Sequence, residues 1–294
     1  MPRRQGGALL LMVSLLLATL AALAFGMNRA GGVELRSIND DYEGRAAAYL
    51  AEAGVAAARW SGQVGGCTYK KIDPTLLGAG VFTSTVKDKD EDEIDVTATG
   101  AVNGAMRTVT RTKLPLFDFK ETKRVELSKD MVDTTIMNPS SESLEALPTL
   151  RLASGTSHVL MNWDLDDIDD GDVLVLSATL TLVPTSANSV ARQVAVHRVT
   201  TQWDRSATWI KARPSTNWSG GNYDSAVLAR ADIGAAPASL DLTGLFNSWA
   251  SKRVAAQGAL LRLVGSNQEI SFHSREATTS SRRPTLQVEY AEDC

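Results

Sequence analysis

The sequence predicts an α+β protein: a long N-terminal helix with a small antiparallel sheet, followed by a mainly-β sandwich of jelly-roll type. Three observations carry this expectation. An uncharged apolar run, Ala8 to Met27, leads into a stretch whose apolar positions recur every three or four residues. From Cys67 to Leu114 the period falls to two. From Met131 to Tyr290 short alternating stretches recur between turn residues, with a single helical stretch among them.

The first run is about twenty residues long, enough for a helix to cross the hydrocarbon core of a bilayer. Arg3 and Arg4 precede it, and positive charge on a short leading side keeps an N-terminus in the cytoplasm and sends the rest of the chain out. An ordinary signal peptide is the competing reading, with Ala22-Leu23-Ala24 as its small-residue cleavage site.

Beyond Gly31-Gly32, the positions Leu35, Ile38, Tyr42, Ala46, Tyr49, Ala53, Ala56 and Trp60 form one helix face, and Asp40, Asp41, Glu43, Arg45, Glu52 and Arg59 fall between them. Gly62, Gly65 and Gly66 supply terminating residues. Together the two runs make a stalk of roughly 50 residues, about 75 Å at the α-helical rise. The small residues Ala46 to Ala48, Ala51, Ala53 and Ala56 to Ala58 invite close packing against other helices.

After the stalk, Val81 to Val86, Ile94 to Thr99 and Ala105 to Thr112 read as three or so strands of a small sheet packed on the helix. The acidic run Asp88, Asp90, Glu91, Asp92 and Glu93 reads as a solvated hairpin tip. Leu114 to Lys129 reads as a connection. In the distal region the expected strands are Ser157 to Asp164, Leu174 to Leu182, Val194 to Val199, Gln202 to Ile210, Ala226 to Ala229, Ala259 to Val264, Glu269 to His273 and Thr285 to Tyr290. Leu174, Leu176, Ala178, Leu180 and Leu182 are expected to face inward. Leu242 to Lys252 is the expected helix, with Leu245, Phe246 and Trp249 on its inner face.

Composition narrows the function. A net charge of -4 without a basic stripe argues against a nucleic-acid binder. The two cysteines, Cys67 and Cys294, have no metal spacing, and there are only three histidines. In an exported chain such a pair reads as one disulfide, worth up to about 5 kcal/mol for so large a loop, with free thiols or an intermolecular link as the alternatives. No HExxH, phosphate-binding glycine loop, GxGxxG or GxSxG occurs, so the chain is not expected to be an enzyme. No cofactor is expected. The segment Asp164 to Asp172 fails the EF-hand pattern at Ile168, which leaves a calcium site built from separate loops as the open alternative.

Two resemblances extend these readings. Arg4-Gln5-Gly6-Gly7-Ala8-Leu9-Leu10-Leu11, the apolar run behind it, and Ala47-Ala48-Tyr49-Leu50-Ala51-Glu52-Ala53-Gly54-Val55 resemble the N-terminal region of type IV minor pilins of the PilX kind, over roughly residues 3 to 114. The resemblance implies a leader removed after Gly6 or Gly7, before Ala8, and a helix that packs into a fibre core with other pilin subunits. It implies an inner-membrane address before assembly and an extracellular or cell-surface one afterwards. Leu11 or Met12 stands where major pilins carry glutamate.

In the distal region Asp133-Thr134-Thr135-Ile136, Leu160-Met161-Asn162-Trp163-Asp164-Leu165, Trp203-Asp204-Arg205-Ser206-Ala207-Thr208-Trp209, Arg213-Pro214, Ser274-Arg275-Glu276 and Arg283-Pro284 occur in an order that resembles the DNRLRE domain. That family is an extracellular β-sandwich related to a polysaccharide-binding module, which implies a carbohydrate-recognition or adhesive role. Aromatic faces flanked by charged or amide groups suit sugar rings, so the candidate ligand-binding residues are Asn217, Trp218, Tyr223, His273, Arg275 and Arg282. Trp163, Trp203, Trp209 and Trp249 are expected in the core. An Arg275–Glu276 ion pair beside Arg283 is the structural alternative. The expected organisation is a leader at 1–7, the membrane and stalk helix at 8–62, a small pilin-like sheet at 63–114, a linker at 115–130 and the sandwich at 131–294.

Overall fold

The structure, a computed structural model, describes residues 19, 38–90, 93–129, 131–166, 168, 173–185, 190–265 and 268–294. All of the Ala8–Met27 run but Thr19, the processing residues Gly6, Gly7 and Ala8, Glu91 and Asp92 of the first acidic stretch and Asp167, Asp169, Asp170 and Asp172 of the second lie outside them. Among the described residues no helix is long and apolar enough to cross a membrane. The chain divides into two compact units, Met1–Leu116 and Phe117–Cys294. Cys67 and Cys294 are disulfide-bonded, as the sequence suggests for an exported chain.

In the first unit, a long helix α1 is described over residues 38–64. Four antiparallel strands follow in the order β1 (Ile72–Leu77), β2 (Gly80–Asp90), β3 (Glu93–Val102) and β4 (Ala105–Pro115). Strand β1 adds one edge strand to the expected three. Its Pro74 lacks a backbone donor and a bulge interrupts its register between Ile72 and Thr75, which are features suited to an edge. Strand β3 alternates strictly: Ile94, Val96, Ala98, Gly100 and Val102 are buried. On its other face Thr97 and Thr99 meet Thr110 and Thr108 hydroxyl to hydroxyl at 3.1 and 2.9 Å.

The helix meets this sheet with a face that the sequence stripe did not select. Gly44, Ala47, Leu50, Ala51, Gly54, Val55, Ala58 and Gly62 are buried, again at steps of three and four. Ile38, Tyr42, Tyr49 and Trp60, the large members of the expected stripe, are exposed, Tyr42 at 71% and Tyr49 at 77%. At 100° per residue the two sets lie on opposite sides of the helix. Close approach explains the choice. A β-carbon on Gly100 would sit 2.1 Å from the Ala47 carbonyl oxygen, so the helix backbone rests directly on β3 there and only small side chains fit at that point, with Leu50 packing beside it.

The second unit is built from antiparallel sheets. One runs β13 (Ala229–Ile233), β10 (Arg192–Arg198), β15 (Ala259–Leu263), β8 (Ser157–Asn162), β7 (Thr149–Ala153), β16 (Glu269–His273), with β6 (Val132–Met137) also pairing β8. The other runs β14 (Ala238–Asp241), β9 (Val173–Leu182), β17 (Thr285–Glu292), β5 (Lys123–Glu126). Strands β11 (Lys211–Arg213) and β12 (Thr216–Asn217) form a small ribbon. Strand β5 lies within the segment expected as a connection, where it pairs with β17.

One apolar cluster joins the two larger sheets, with Leu152, Val159, Met161, Val196, Leu261 and Phe272 from one and Ala178, Leu180, Leu182, Leu286 and Val288 from the other. Helix α2 (Thr243–Ala250) closes it with Leu245, Phe246 and Trp249, and Trp163 stacks on Phe246 and Trp249 at ring separations of 5.7 and 6.3 Å. The helix starts one residue later than expected, where Asp241 accepts the Thr243 N–H and hydroxyl at 2.9 and 2.6 Å, and ends two residues earlier, where the chain turns to a positive φ of 52° at Lys252.

Three strand expectations change, the simplest being that the strand expected at Ala226 to Ala229 lies at β13, Ala229–Ile233, and overlaps it only at Ala229. Strand β9 keeps Ala178, Leu180 and Leu182 inward, but Val175 is buried in place of Leu174 and Leu176, and Leu176 is 37% exposed. The cause is a bulge: consecutive residues Glu289 and Tyr290 pair with Ser177 and Val175, which leaves Leu176 opposite nothing and reverses the faces beyond it. Asn247 of α2 supports the bulge, accepting the Val175 N–H at 3.0 Å and donating to its carbonyl at 2.7 Å. Gln202 to Ile210 is not a strand. Asp204 accepts the Ser206 N–H and hydroxyl, and Thr208 accepts the Lys211 N–H, so local side-chain bonds hold this segment in turns.

Those turns cover the outer face of the larger sheet. Val199, Trp203, Ala207, Ala212 and Trp218 form a second cluster with Ile136 and Leu160. Strand β8 therefore has cover on both sides, Val159 and Met161 in one cluster and Leu160 in the other.

Candidate functional site

The six candidate residues separate into two neighbourhoods. Trp218 is buried within the second cluster and its indole N–H donates to the Thr208 carbonyl at 2.7 Å, which gives it a packing role. Asn217 beside it is exposed on β12. Tyr223 is half-buried against two imidazoles, His197 at 5.0 Å and His158 at 6.2 Å between ring centroids, and its hydroxyl accepts from Arg262 at 2.7 Å. His158 lies under Trp209 at 5.1 Å and bonds the Gly220 carbonyl through Nδ1 at 2.8 Å. Burial is the main cause holding its pKa below the ordinary imidazole value. Gly220 has φ of +71°, and a β-carbon there would press on the Trp209 ring at 2.8 Å, so glycine is required for this stack.

Arg275 occupies the other neighbourhood. It follows β16, two residues after the half-buried His273, in a turn tied down at several points. Ser274 donates its hydroxyl to the Leu147 carbonyl at 2.6 Å and its N–H to Pro148. The Arg275 N–H donates to Asp133 Oδ2 at 2.9 Å, and its guanidinium donates to the Met131 carbonyl. Its Nε lies 3.4 Å from Glu276, the ion pair the sequence offered as the structural alternative. Arg282 is exposed in a short 3-10 turn, Ser280–Arg282, and the following Arg283 donates to the Ala277 carbonyl at 2.9 Å.

Arg275 and Glu276 stand between two cavities. One, of about 220 Å³, is lined by Val132, Asp133, Glu145, Ala146 and Arg205 besides these two. The other, of about 370 Å³, adds Lys129, Ser280 and Arg283 to them. The first has an excess of carboxylates and the second an excess of cations. This divided cleft, rather than an aromatic platform, is the best-defined polar site of the unit.

Asp133 is its chemical centre. It sits on β6 among Thr134, Thr135 and Ile136, all buried, and is itself 2% exposed. Burial pushes its carboxyl up to about 7; the Arg275 N–H works against this, and the negative charge of Glu276 adds to it. Among the described residues, Asp133 Oδ1 and Glu145 Oε2 find no hydrogen-bond donor. Arg205 lies 3.9 Å from Glu145, beyond hydrogen-bonding reach.

Sequence reasoning picked out Arg275 but not Asp133, Glu145, Arg205 or Lys129 as site residues. One signal was available: a lone aspartate within the otherwise uncharged β-branched run Val132 to Ile136. A larger depression, about 490 Å³, lies on the outer face of the smaller sheet between Arg124, Ser177, Thr179, Gln287 and Glu289. Arg124 and Glu289 pair there at 3.1 Å and no buried unpaired side-chain oxygen faces it, so it is chemically quieter than the cleft. Comparison with protein-family models and with curated proteins finds no match for this chain.

Proposed function

We propose that this chain is a minor-pilin-like subunit of a surface fibre, of the PilX type, that displays a DNRLRE-like sandwich of jelly-roll kind as an adhesive or carbohydrate-recognition domain. The observation that carries the reading is the two-faced helix α1. Its small residues seal it to its own sheet, while Ile38, Tyr42, Tyr49 and Trp60 remain outside. Large apolar groups left in water along one line are a surface for association. Tyr42 and Tyr49 also border an apolar groove of about 310 Å³ with Leu77, Ala79 and Val102. The Ala8–Met27 run precedes this face in sequence, so the subunit is held in the inner membrane before assembly and presented at the cell surface after it. Other pilin subunits are its partners through the helix. The cleft around Arg275, rich in paired and unpaired polar groups, is the recognition surface of the displayed domain.

The reading is tested in fibres sheared from the producing cell. The wild-type chain should be present in them, and Tyr42→Ser with Tyr49→Ser should be lost from them at least tenfold while the folded chain stays in the cell envelope. Absence of the wild-type chain from sheared fibres, with a mature N-terminus at Phe25, would replace the fibre subunit by a signal-peptide-exported carbohydrate-binding protein. A glycan array probed with the folded full chain tests recognition separately.

A further inference from the structure

The smaller cavity beside Arg275 is short of donors. Of its charged lining groups, Glu276 and Arg275 neutralise each other at 3.4 Å, and the Arg275 guanidinium is spent on Glu276 and the Met131 carbonyl. That leaves two carboxyl groups, Asp133, ionised above about pH 7, and Glu145, lining the cavity with one guanidinium, Arg205, which lies 3.9 Å from Glu145. Each of the two has one buried oxygen to which no described protein group donates, Asp133 Oδ1 and Glu145 Oε2. A buried acceptor without a donor is costly and is satisfied in a protein by something else.

The complement of such a wall carries positive charge and several N–H donors in a small volume. A primary ammonium group has both, three donors on one charged nitrogen. A divalent metal is a poorer fit: among the described residues no three acidic, histidine or cysteine groups converge as ligands. An ordinary hydroxyl offers only one donor and no charge.

We propose that the Asp133–Glu145 cavity binds a primary ammonium group carried by an amino sugar, with Asp133 and Glu145 accepting its hydrogen bonds. The choice of a sugar as carrier rests on the carbohydrate-recognition reading above; the ammonium site rests on the cavity itself. The cavity, about 220 Å³, admits one sugar-sized group. The neighbouring cavity across Arg275 and Glu276 takes the next part of the ligand against Ser280, Lys129 and Arg283.

Titration calorimetry on the full chain tests this with three probes: a glucosamine tetrasaccharide, its fully N-acetylated counterpart, and a glucose tetrasaccharide of the same linkage. The amino form should bind at least tenfold more tightly than the other two. Glu145→Gln should lower its affinity at least tenfold, and Asp133→Asn should do the same, with unchanged melting temperature of the Glu145→Gln variant showing that the fold is intact. Equal binding of the acetylated form, or no effect of Glu145→Gln, overturns the ammonium site while leaving carbohydrate recognition standing. If no glycan on the array binds but lysine amide binds and Glu145→Gln abolishes it, the ammonium site stands and the sugar reading falls. No binding of any amine overturns the proposal.

Discussion

The two units solve the same packing problem in opposite ways. In the second, the larger sheet is covered on both faces, by the smaller sheet and α2 on one side and by the turns from Val199 to Trp218 on the other. Its largest fully buried side chains are Phe246 and Phe272. In the first, one helix covers one face of one sheet, and its closest contact is made by glycine and alanine, with Leu50 and Val55 buried beside them. Ile38, Tyr42, Tyr49 and Trp60 of the helix are left exposed. An exposed aromatic face on the helix of the first unit, against scattered exposed aliphatic groups such as Leu147, Val190 and Ile210 in the second, is the reason for proposing assembly through the first and recognition through the second.

This contrast can be broken at graded points. Phe246→Ala removes the ring that holds Trp163 and Trp249 together and should cost about 4 kcal/mol in the second unit, measured by denaturant unfolding. Gly100→Val should cost about 3 kcal/mol in the first, because the added carbon meets the helix backbone at Ala47. Its signature is loss of hydrogen-exchange protection in α1 with the sandwich strands unchanged; loss in both would mean that the small-residue contact is not local.

A pH series gives a smaller effect. Asp133 has its folded pKa raised to about 7 from 3.8, so between these values the folded chain holds a proton that the unfolded chain has released. Its contribution is therefore fully present below about pH 4, falls as pH rises, and is gone above about pH 7, a total of a few kcal/mol at most. Asp133→Asn should flatten that slope in thermal melts; an unchanged slope would move the cause elsewhere. The smallest effect is Tyr49→Ser, which should change the stability of the isolated chain by less than about 0.5 kcal/mol because the ring is 77% exposed. A large loss would show that the exposed face belongs to the unit's own core.

Much of the fold was legible because burial writes a period into the sequence. Strands β3, β8, β10, β15 and β16 lie where alternation or short apolar runs place them, and α2 carries its apolar residues on one face. Legibility failed where a single local event changed the rule. One unpaired residue at Leu176 reverses the faces along β9, and nothing in an even alternation marks it. Asp204 and Thr208 turn Trp203 to Trp209 away from the strand its composition suggests. Of the site, Arg275 was legible as a charged residue near others in sequence, whereas its contact with Asp133 spans most of the second unit.

By itself the sequence determined where both helices and strands β3, β8, β10, β15 and β16 occur, that the two cysteines read as one disulfide, and that the helix has an apolar stripe of large residues with small ones around it. Only the tertiary structure decided which stripe faces home. Tyr42 and Tyr49 offer more apolar area than Ala47 and Ala51, but the backbone contact at Gly100 leaves room for no aromatic ring at Ala47 or Ala51. The distance between helix and sheet, not the apolarity of a side chain, selected the inner face, and so left the aromatic one outward.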